Sequence, residues 1–174
     1  ILKTHDVSKT PEEIIQAICS FVGTYDQIPP MYSAKKIDGK KLYQLAREGK
    51  IVERKAVPVT LKDIQVLSVK DNKARFIVTC SAGTYIRTLC VDIGKKLGCE
   101  ACMSSLTRVM AGGFSKEQAL TLEKIKELAD KNELESRLIS IDTALGHFPK
   151  VIASNEFEKQ LKNGNAISIN AVLG

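Results

Sequence analysis

The chain has only two histidines, His5 and His147, among 174 residues. That scarcity removes much histidine-based chemistry. Two histidines in loop-like contexts do not build a nucleophile–base–acid triad, and no H-E-x-x-H metal helix is present. The phosphate loop G-x-x-x-x-G-K-[ST], the dinucleotide turn G-x-G-x-x-G and the nucleophile elbow G-x-S-x-G are also missing. No metal and no nucleotide cofactor is expected. No apolar run approaches the ~18 residues of a membrane span, so no membrane role is expected either. The opening residues Ile-Leu-Lys-Thr-His-Asp show no basic-then-apolar leader. The first residue is not Met, which reads as the start of a fragment of a longer protein. There is no internal repeat and no low-complexity tract.

Cysteine is present in an odd number, five: Cys19, Cys80, Cys90, Cys99 and Cys102. The count and the irregular spacing argue against a disulfide framework and for a reducing cytoplasm. Cys99 and Cys102 have C-x-x-C spacing. A zinc site needs a second pair, which the chain lacks. A redox pair belongs where a strand feeds a helix, whereas this one follows Gly98, a helix stop. Two half-buried structural cysteines are expected.

Lys and Arg outnumber Asp and Glu by 26 to 20, and 44% of residues are hydrophobic. This is a folded chain with a modest basic excess, which permits an acidic partner such as RNA without requiring one. Thr10-Pro11-Glu12-Glu13 carries an N-cap, a first-turn proline and a capping box. Ile14, Ile15, Ile18, Phe21 and Val22 follow at helical spacing, and Gly23 ends that helix. Residues 27–41 contain Pro29-Pro30 and read as extended and exposed. A short helix spans Leu42 to Glu48, closed by Gly49. Val57 to Val69 and Ala74 to Cys80 alternate β-branched and polar residues around an Asp71-Asn72-Lys73 turn, so they read as an antiparallel hairpin. After Ser81-Ala82-Gly83-Thr84 a helix places Ile86, Leu89, Cys90, Ile93 and Leu97 on one side, and Gly98 stops it. Leu106 to Phe114 reads as a strand, and Thr121 to Asn132 as a helix with Leu122, Ile125, Leu128 and Ala129 on its apolar face. After Asp142 the texture changes: a linker at 145–149, a small helix from Ser154 to Leu161 ended by Gly164, and a short strand from Ile167 to Ile169. The fold class is α+β, a mixed and largely antiparallel sheet with flanking helices, divided at 1–142 and 143–174.

Two segments are odd on structural grounds. Tyr32 sits among Lys35, Lys36, Lys40 and Lys41, an aromatic embedded in basic residues. Such a mixture suits an unstacked base with its phosphates nearby. It also suits a surface loop with its Tyr tucked against its own domain. Arg87 follows Tyr85 at a strand-to-helix junction. An Arg on the solvent side of a helix start meets the positive end of the helix dipole. An Arg in a pocket needs a carboxylate. Both readings remain open on the residues alone.

The segment QIPPMYSAKKIDGKKLYQLAREG (27–49), followed by CSAGTYIRTLCVDIGKKLG (80–98), resembles the TruB-type tRNA pseudouridine synthases. The resemblance covers roughly residues 10–142. Leu106-Thr107-Arg108, with Gly113-Phe114 after it, fits the family's later strand. Lys35 departs from the pattern, where Leu is common. The resemblance implies an isomerase of tRNA modification. Such an enzyme breaks the glycosidic bond of a T-loop uridine, turns the base and rejoins it through carbon 5. It needs no cofactor and no protein partner. The uridine is flipped out of the loop, and an aspartate is the nucleophile. By the same resemblance Tyr32 stacks on the flipped base, Arg87 pairs with the aspartate, and Tyr85 and Leu106 line the pocket. Arg87 is then expected at a buried position, holding a carboxylate ionised and oriented.

The family's aspartate lies in a G-x-L-D-P-x-A-x-G segment well before the P-P-M-Y motif, and no part of this chain matches it. Asp6 and Asp26 have the wrong neighbours, and Asp92 follows the arginine on a helix. Residues 1–142 are therefore expected to be the later part of the catalytic domain, and 143–174 the beginning of a PUA-like RNA-binding module. The chain alone should be inactive. The alternatives are a non-enzymatic RNA-binding module derived from the same fold, and a fold-only relative with a protein partner.

Overall fold

The computed structural model describes residues 8–168. His5, Asp6 and Ile169 lie outside them. Two compact units divide in sequence between Leu106 and Thr107, so the texture change read at 143 falls within the second.

In the first unit, helix α1 (Pro11–Cys19) begins as its sequence dictates. The Thr10 hydroxyl accepts the Glu13 N–H, the Glu13 carboxylate accepts the Thr10 N–H, and Pro11 occupies the first turn, which satisfies donors every helix start leaves open. The helix stops at Cys19, short of the Gly23 expected to end it. Gly23 instead opens strand β1 (Gly23–Gln27) with φ +113°, a left-handed value that favours glycine. A two-residue hairpin follows, β2 (Lys36–Ile37) and β3 (Lys40–Lys41), turned by Asp38 and Gly39, both at positive φ. Helix α2 (Leu42–Arg47) ends before Gly49, at φ +72°.

Strands β4 (Val57–Lys70) and β5 (Lys73–Cys80) form the expected hairpin. β1 adds to the free edge of β4, pairing Gly23 with Leu61 and Gln27 with Val57, for a three-stranded order β1-β4-β5. All these pairings are antiparallel. Helix α3 (Ile86–Lys96) follows β5. α1 packs on β4 and α3. The core is Ile14, Ile18, Leu61, Ile64, Leu89 and Ile93, rimmed by Phe21, Tyr25, Val66, Phe76 and Leu97 among others. Burial of these side chains from helix and sheet is the main stabilisation, roughly 1.5–3 kcal/mol for each large apolar residue.

The second unit departs more from expectation. Leu106 to Phe114 is not one strand. It is irregular chain and then a small hairpin, β6 (Met110–Ala111) and β7 (Phe114–Ser115), because Gly112 and Gly113 both adopt positive φ and turn the chain. Helix α4 (Leu122–Asp130) is capped by Thr121. Of its expected apolar face only Leu128 is buried, while Leu122 is 80% exposed. Helix α5 (Ile141–Ala144) precedes the expected linker. A 3₁₀ turn (Asn155–Phe157) and helix α6 (Glu158–Lys162) make up the small helix before Gly164. Ile167 and Ser168 are not in a strand.

Candidate nucleic-acid interface and active site

The site grows from the junction of β1, the segment after it, and the start of α3. Along β1 the side chains alternate. Tyr25 and Gln27 face inward and Asp26 is exposed on the other side. Gln27 is 0% exposed. Its Oε1 accepts the Tyr85 N–H at 2.8 Å, and its Nε2 donates to the Tyr85 carbonyl at 3.1 Å and to the Tyr25 hydroxyl. Tyr85 is the N-cap residue of α3 and makes no side-chain cap bond, so Gln27 satisfies a donor that the helix start exposes. Burial pushes the Tyr25 hydroxyl above its usual range, with the Gln27 contact opposing.

The segment from Ile28 to Lys35 is not simply exposed. Pro29 and Ser33 are buried. Arg54 Nη1 donates to the Pro29 carbonyl at 3.3 Å. Tyr43 N–H donates to the Ser33 carbonyl at 3.1 Å and Leu42 N–H to the Lys35 carbonyl at 2.8 Å, which seats the start of α2 on the segment. On this base Tyr32 projects outward, 59% exposed. A stacking platform needs an open ring face on a fixed backbone.

Arg87 stands in the first turn of α3, with no acidic residue in that turn. It is exposed, one of the two positions the residues alone left open, and not the buried position that the family resemblance implied. Its Nη2 donates to the Tyr32 carbonyl at 3.0 Å, joining positions 55 residues apart. No carboxylate lies within ion-pair distance of it among the described residues: Asp92 pairs with Lys95 at 3.4 Å, and Asp26 forms no ion pair. Tyr85 is half-buried next to Arg87. Leu106 is on irregular chain at the end of the first unit, 59% exposed.

Lys35 and Lys41 are half-buried, and Lys36 and Lys40 are exposed, around the β2–β3 turn. None of the four forms an ion pair among the described residues, whereas Lys9, Lys50, Lys95, Lys124, Lys131, Lys150 and Lys162 all do. Lys41 and Arg47 lie over the Tyr43 ring, at 5.6 and 5.4 Å from its centroid. Cys99 is half-buried, as expected, but Cys102 is exposed. Among the described residues no cluster of His, Cys, Asp and Glu is arranged to hold a metal, and no helix is long and apolar enough to cross a membrane.

Sequence reasoning thus singled out Tyr32, Tyr85 and Arg87; the structure joins the Arg87 side chain to the Tyr32 carbonyl and ties the Tyr85 backbone to Gln27, five residues before Tyr32. It missed Gln27 and Arg54. Their importance lies in carbonyls and amides far along the chain, a signal no local pattern carries. The one available hint was a polar Gln27 immediately before the Ile-Pro-Pro run.

Comparison with known proteins bears on this geometry. Residues 1–86 match the family described as TruB family pseudouridylate synthase (N terminal domain), and residues 87–146 the tRNA pseudouridylate synthase B C-terminal domain. Curated relatives include tRNA pseudouridine synthase B of Alkaliphilus oremlandii, 45% identical over 173 residues, with 99% of this chain and 57% of the relative covered. The protein of the same name from Clostridium novyi is 45% identical over 163 residues, covering 94% and 55%. That of Bacillus anthracis is 43% identical over 161 residues, covering 89% and 52%. The chain spans about half the length of the curated relatives it matches. Among solved structures, a Cbf5-Nop10-Gar1 complex matches with a TM-score of 0.75 at 25% identity, over 97% of this chain and 49% of that one. An H/ACA RNP bound to a substrate RNA containing 2'-deoxyuridine matches with a TM-score of 0.69 at 22% identity, over 94% and 46%, a likeness of fold.

Proposed function

The chain belongs to the TruB family of pseudouridylate synthases, and from that premise we propose that the full-length gene product isomerises uridine to pseudouridine in the T-loop of tRNA. The observation that carries this reading is the Arg87–Tyr32 contact, 3.0 Å from guanidinium to carbonyl. It joins the two longest family-like segments at the residues to which the resemblance gives roles. Tyr32 offers its open face to a flipped uridine. Tyr85 borders the same place, and Leu106 completes the pocket wall. The unpaired Lys35, Lys36, Lys40 and Lys41 meet the phosphates. Arg87 keeps guanidinium N–H groups beyond the one that Nη2 gives to Tyr32, and these hold the nucleophilic carboxylate. That carboxylate attacks C1′ of the ribose as the C1′–N1 bond breaks. The uracil turns, and its carbon 5 bonds to C1′ and displaces the carboxylate. The proton lost from carbon 5 is balanced by one taken up at the freed nitrogen. No group is gained or lost, so no cofactor is required.

A second reading concerns the 174-residue polypeptide by itself. Arg87 has no carboxylate partner among the described residues, and no segment matches the family's nucleophile motif. In isolation this polypeptide binds RNA and does no chemistry. Incubation with an unmodified T stem-loop RNA, followed by chemical labelling specific for pseudouridine, tests both readings. Conversion by the full-length product, with binding but no conversion by the isolated polypeptide, is expected. A full-length product that binds and never converts overturns the first. Turnover by the polypeptide alone overturns the second and requires another nucleophile.

A further inference from the structure

A fully buried amide has two donors and an acceptor to satisfy, and leaving them unpaired is costly. Gln27 satisfies its acceptor and its donors at one end of the site. Toward Tyr85 it presents an acceptor and a donor side by side, as the backbone of a neighbouring strand does, with bonds of 2.8 and 3.1 Å. The Tyr85 carbonyl also accepts the Leu89 N–H at 3.0 Å, the first hydrogen bond of α3. The side chain of Gln27 therefore grips the point where α3 begins. Further along the segment that starts at Gln27, the Tyr32 carbonyl is held by Arg87 from that same first turn of α3. Two ties, Gln27 to Tyr85 and Tyr32 to Arg87, run between the same two pieces of chain. One tie is a hinge, while two spaced ties fix both separation and angle.

We propose that Gln27 is a positioning residue that sets the orientation of Tyr85 and Arg87 against Tyr32. This rests on the isomerase reading above. Gln27 is fully buried, so it does not touch RNA and acts only through the residues it aligns. Loss of alignment in such a site lowers the rate of the bound complex more than its formation, and a displacement of about 1 Å costs on the order of 100-fold.

The test uses the full-length gene product and T stem-loop RNA. Gln27→Met keeps the volume and removes both bonds to Tyr85. Gln27→Glu keeps the acceptor for the Tyr85 N–H. Single-turnover rates at saturating enzyme and binding constants are measured at a temperature where thermal unfolding shows each variant folded. Expected for Gln27→Met is a rate lower by about 10- to 100-fold with affinity within about threefold, and a smaller loss for Gln27→Glu. Amide exchange at Tyr85 should quicken in Gln27→Met. Unchanged rates in both variants, a loss confined to affinity, or a loss that follows the unfolded fraction overturns the inference while the isomerase reading stands. A wild-type product that makes no pseudouridine overturns both.

Discussion

Replacing Gly94 by alanine sets two physical effects against each other. Gly94 lies within α3, where alanine in place of glycine favours the helix by about 1 kcal/mol. A Cβ built there stands 2.4 Å from Ala101 N, 2.8 Å from Ala101 Cβ and 3.0 Å from Glu100 C. Ordinary contact begins near 3.4 Å, so the backbone at 100–101 has to retreat by about 1 Å. No rotamer change relieves this, because the nearest atom is backbone. The preceding turn is itself pinned, with Cys99 N–H donating to the Gly94 carbonyl at 3.0 Å. Overpacking costs about 1–3 kcal/mol where neighbours can adjust, and a backbone obstacle places this case at the upper end. The expected net is about 2 kcal/mol of destabilisation, the clash exceeding the helix gain. Equilibrium urea unfolding reads it as a midpoint lowered by on the order of 1 M at an m-value of about 2 kcal/mol/M. An unchanged or raised midpoint would mean that helix propensity wins, and would refute the close packing of the 100–101 backbone on α3.

Other expectations follow from the site and from the first helix. Changing Lys35, Lys36, Lys40 and Lys41 to alanine should weaken RNA binding and make its dependence on log salt shallower by about 3, at roughly 0.7–0.9 for each phosphate contact; an unchanged slope would show an ordinary surface loop. On the proposed role of Arg87 in the full-length product, Arg87→Lys loses the planar fork and Arg87→Ala leaves the nucleophilic carboxylate unpaired, so both should lower turnover far more than affinity. The alanine variant alone should recover some activity as pH rises, since its carboxylate ionises later; lost affinity with intact turnover would make Arg87 a phosphate contact. The Glu13 carboxyl is held below its ordinary value of 4.5, first by the Thr10 backbone N–H and then by Lys9. A lowered folded-state value adds stability that is fully present above the ordinary value and is lost as pH falls below it and through the lowered folded-state one. Melting temperatures between pH 7 and pH 3 should therefore drop less in Glu13→Gln than in wild type, and equal drops would remove the capping box as an acid-sensitive element.

What could be read in advance was local. The Thr10–Glu13 box, the alternation of 57–80 and the Gly98 stop each report on neighbours a few residues away. β1 escaped notice because it is five residues long and its partner lies at Val57–Leu61. Its first residue, Gly23, also looked like a helix stop. The β2–β3 hairpin carried an Asp38-Gly39 turn signal, but Ile37 is the one apolar residue among its paired positions, with Lys36, Lys40 and Lys41 the others, so the alternation that marks a hairpin was absent. Leu106 to Phe114 failed as a strand for the opposite reason: its apolar content was right, but the Gly112-Gly113 pair turns the chain back within it. At the candidate site, motif order is what singled out Tyr32 and Arg87. That Arg87 grips a backbone carbonyl, and that Gln27 reaches 58 residues to Tyr85, are facts of tertiary placement.

The placement of charge argues for a polyanionic partner on independent grounds. A protein arranging surface charge for its own stability pairs it, as Lys9 with Glu13, Lys95 with Asp92 and Lys131 with Glu127 show. Each such pair is worth a few tenths of a kcal/mol to about 1. Lysines such as Lys62, Lys116 and Lys159 also form no ion pair among the described residues, so what sets the surroundings of Tyr32 apart is density. Four lysines between 35 and 41 form no close ion pair among the described residues, although the Glu48 carboxyl, held below its ordinary value first by Lys50, is lowered further by Lys40. Arg87 adds a further cation in a first helical turn without an acid, where the dipole disfavours it. The Tyr32 carbonyl offsets that cost with one hydrogen bond but does not neutralise the charge. Clustered cations beside an exposed aromatic ring repel one another and weaken the isolated fold. The same cluster suits phosphates, and the 59% exposed Tyr32 ring suits a base, as the proposed function requires. On the proposed reading, stability and RNA recognition make opposite demands on these residues, and the sequence between Pro29 and Lys41 is the place where the four-lysine substitution tells them apart.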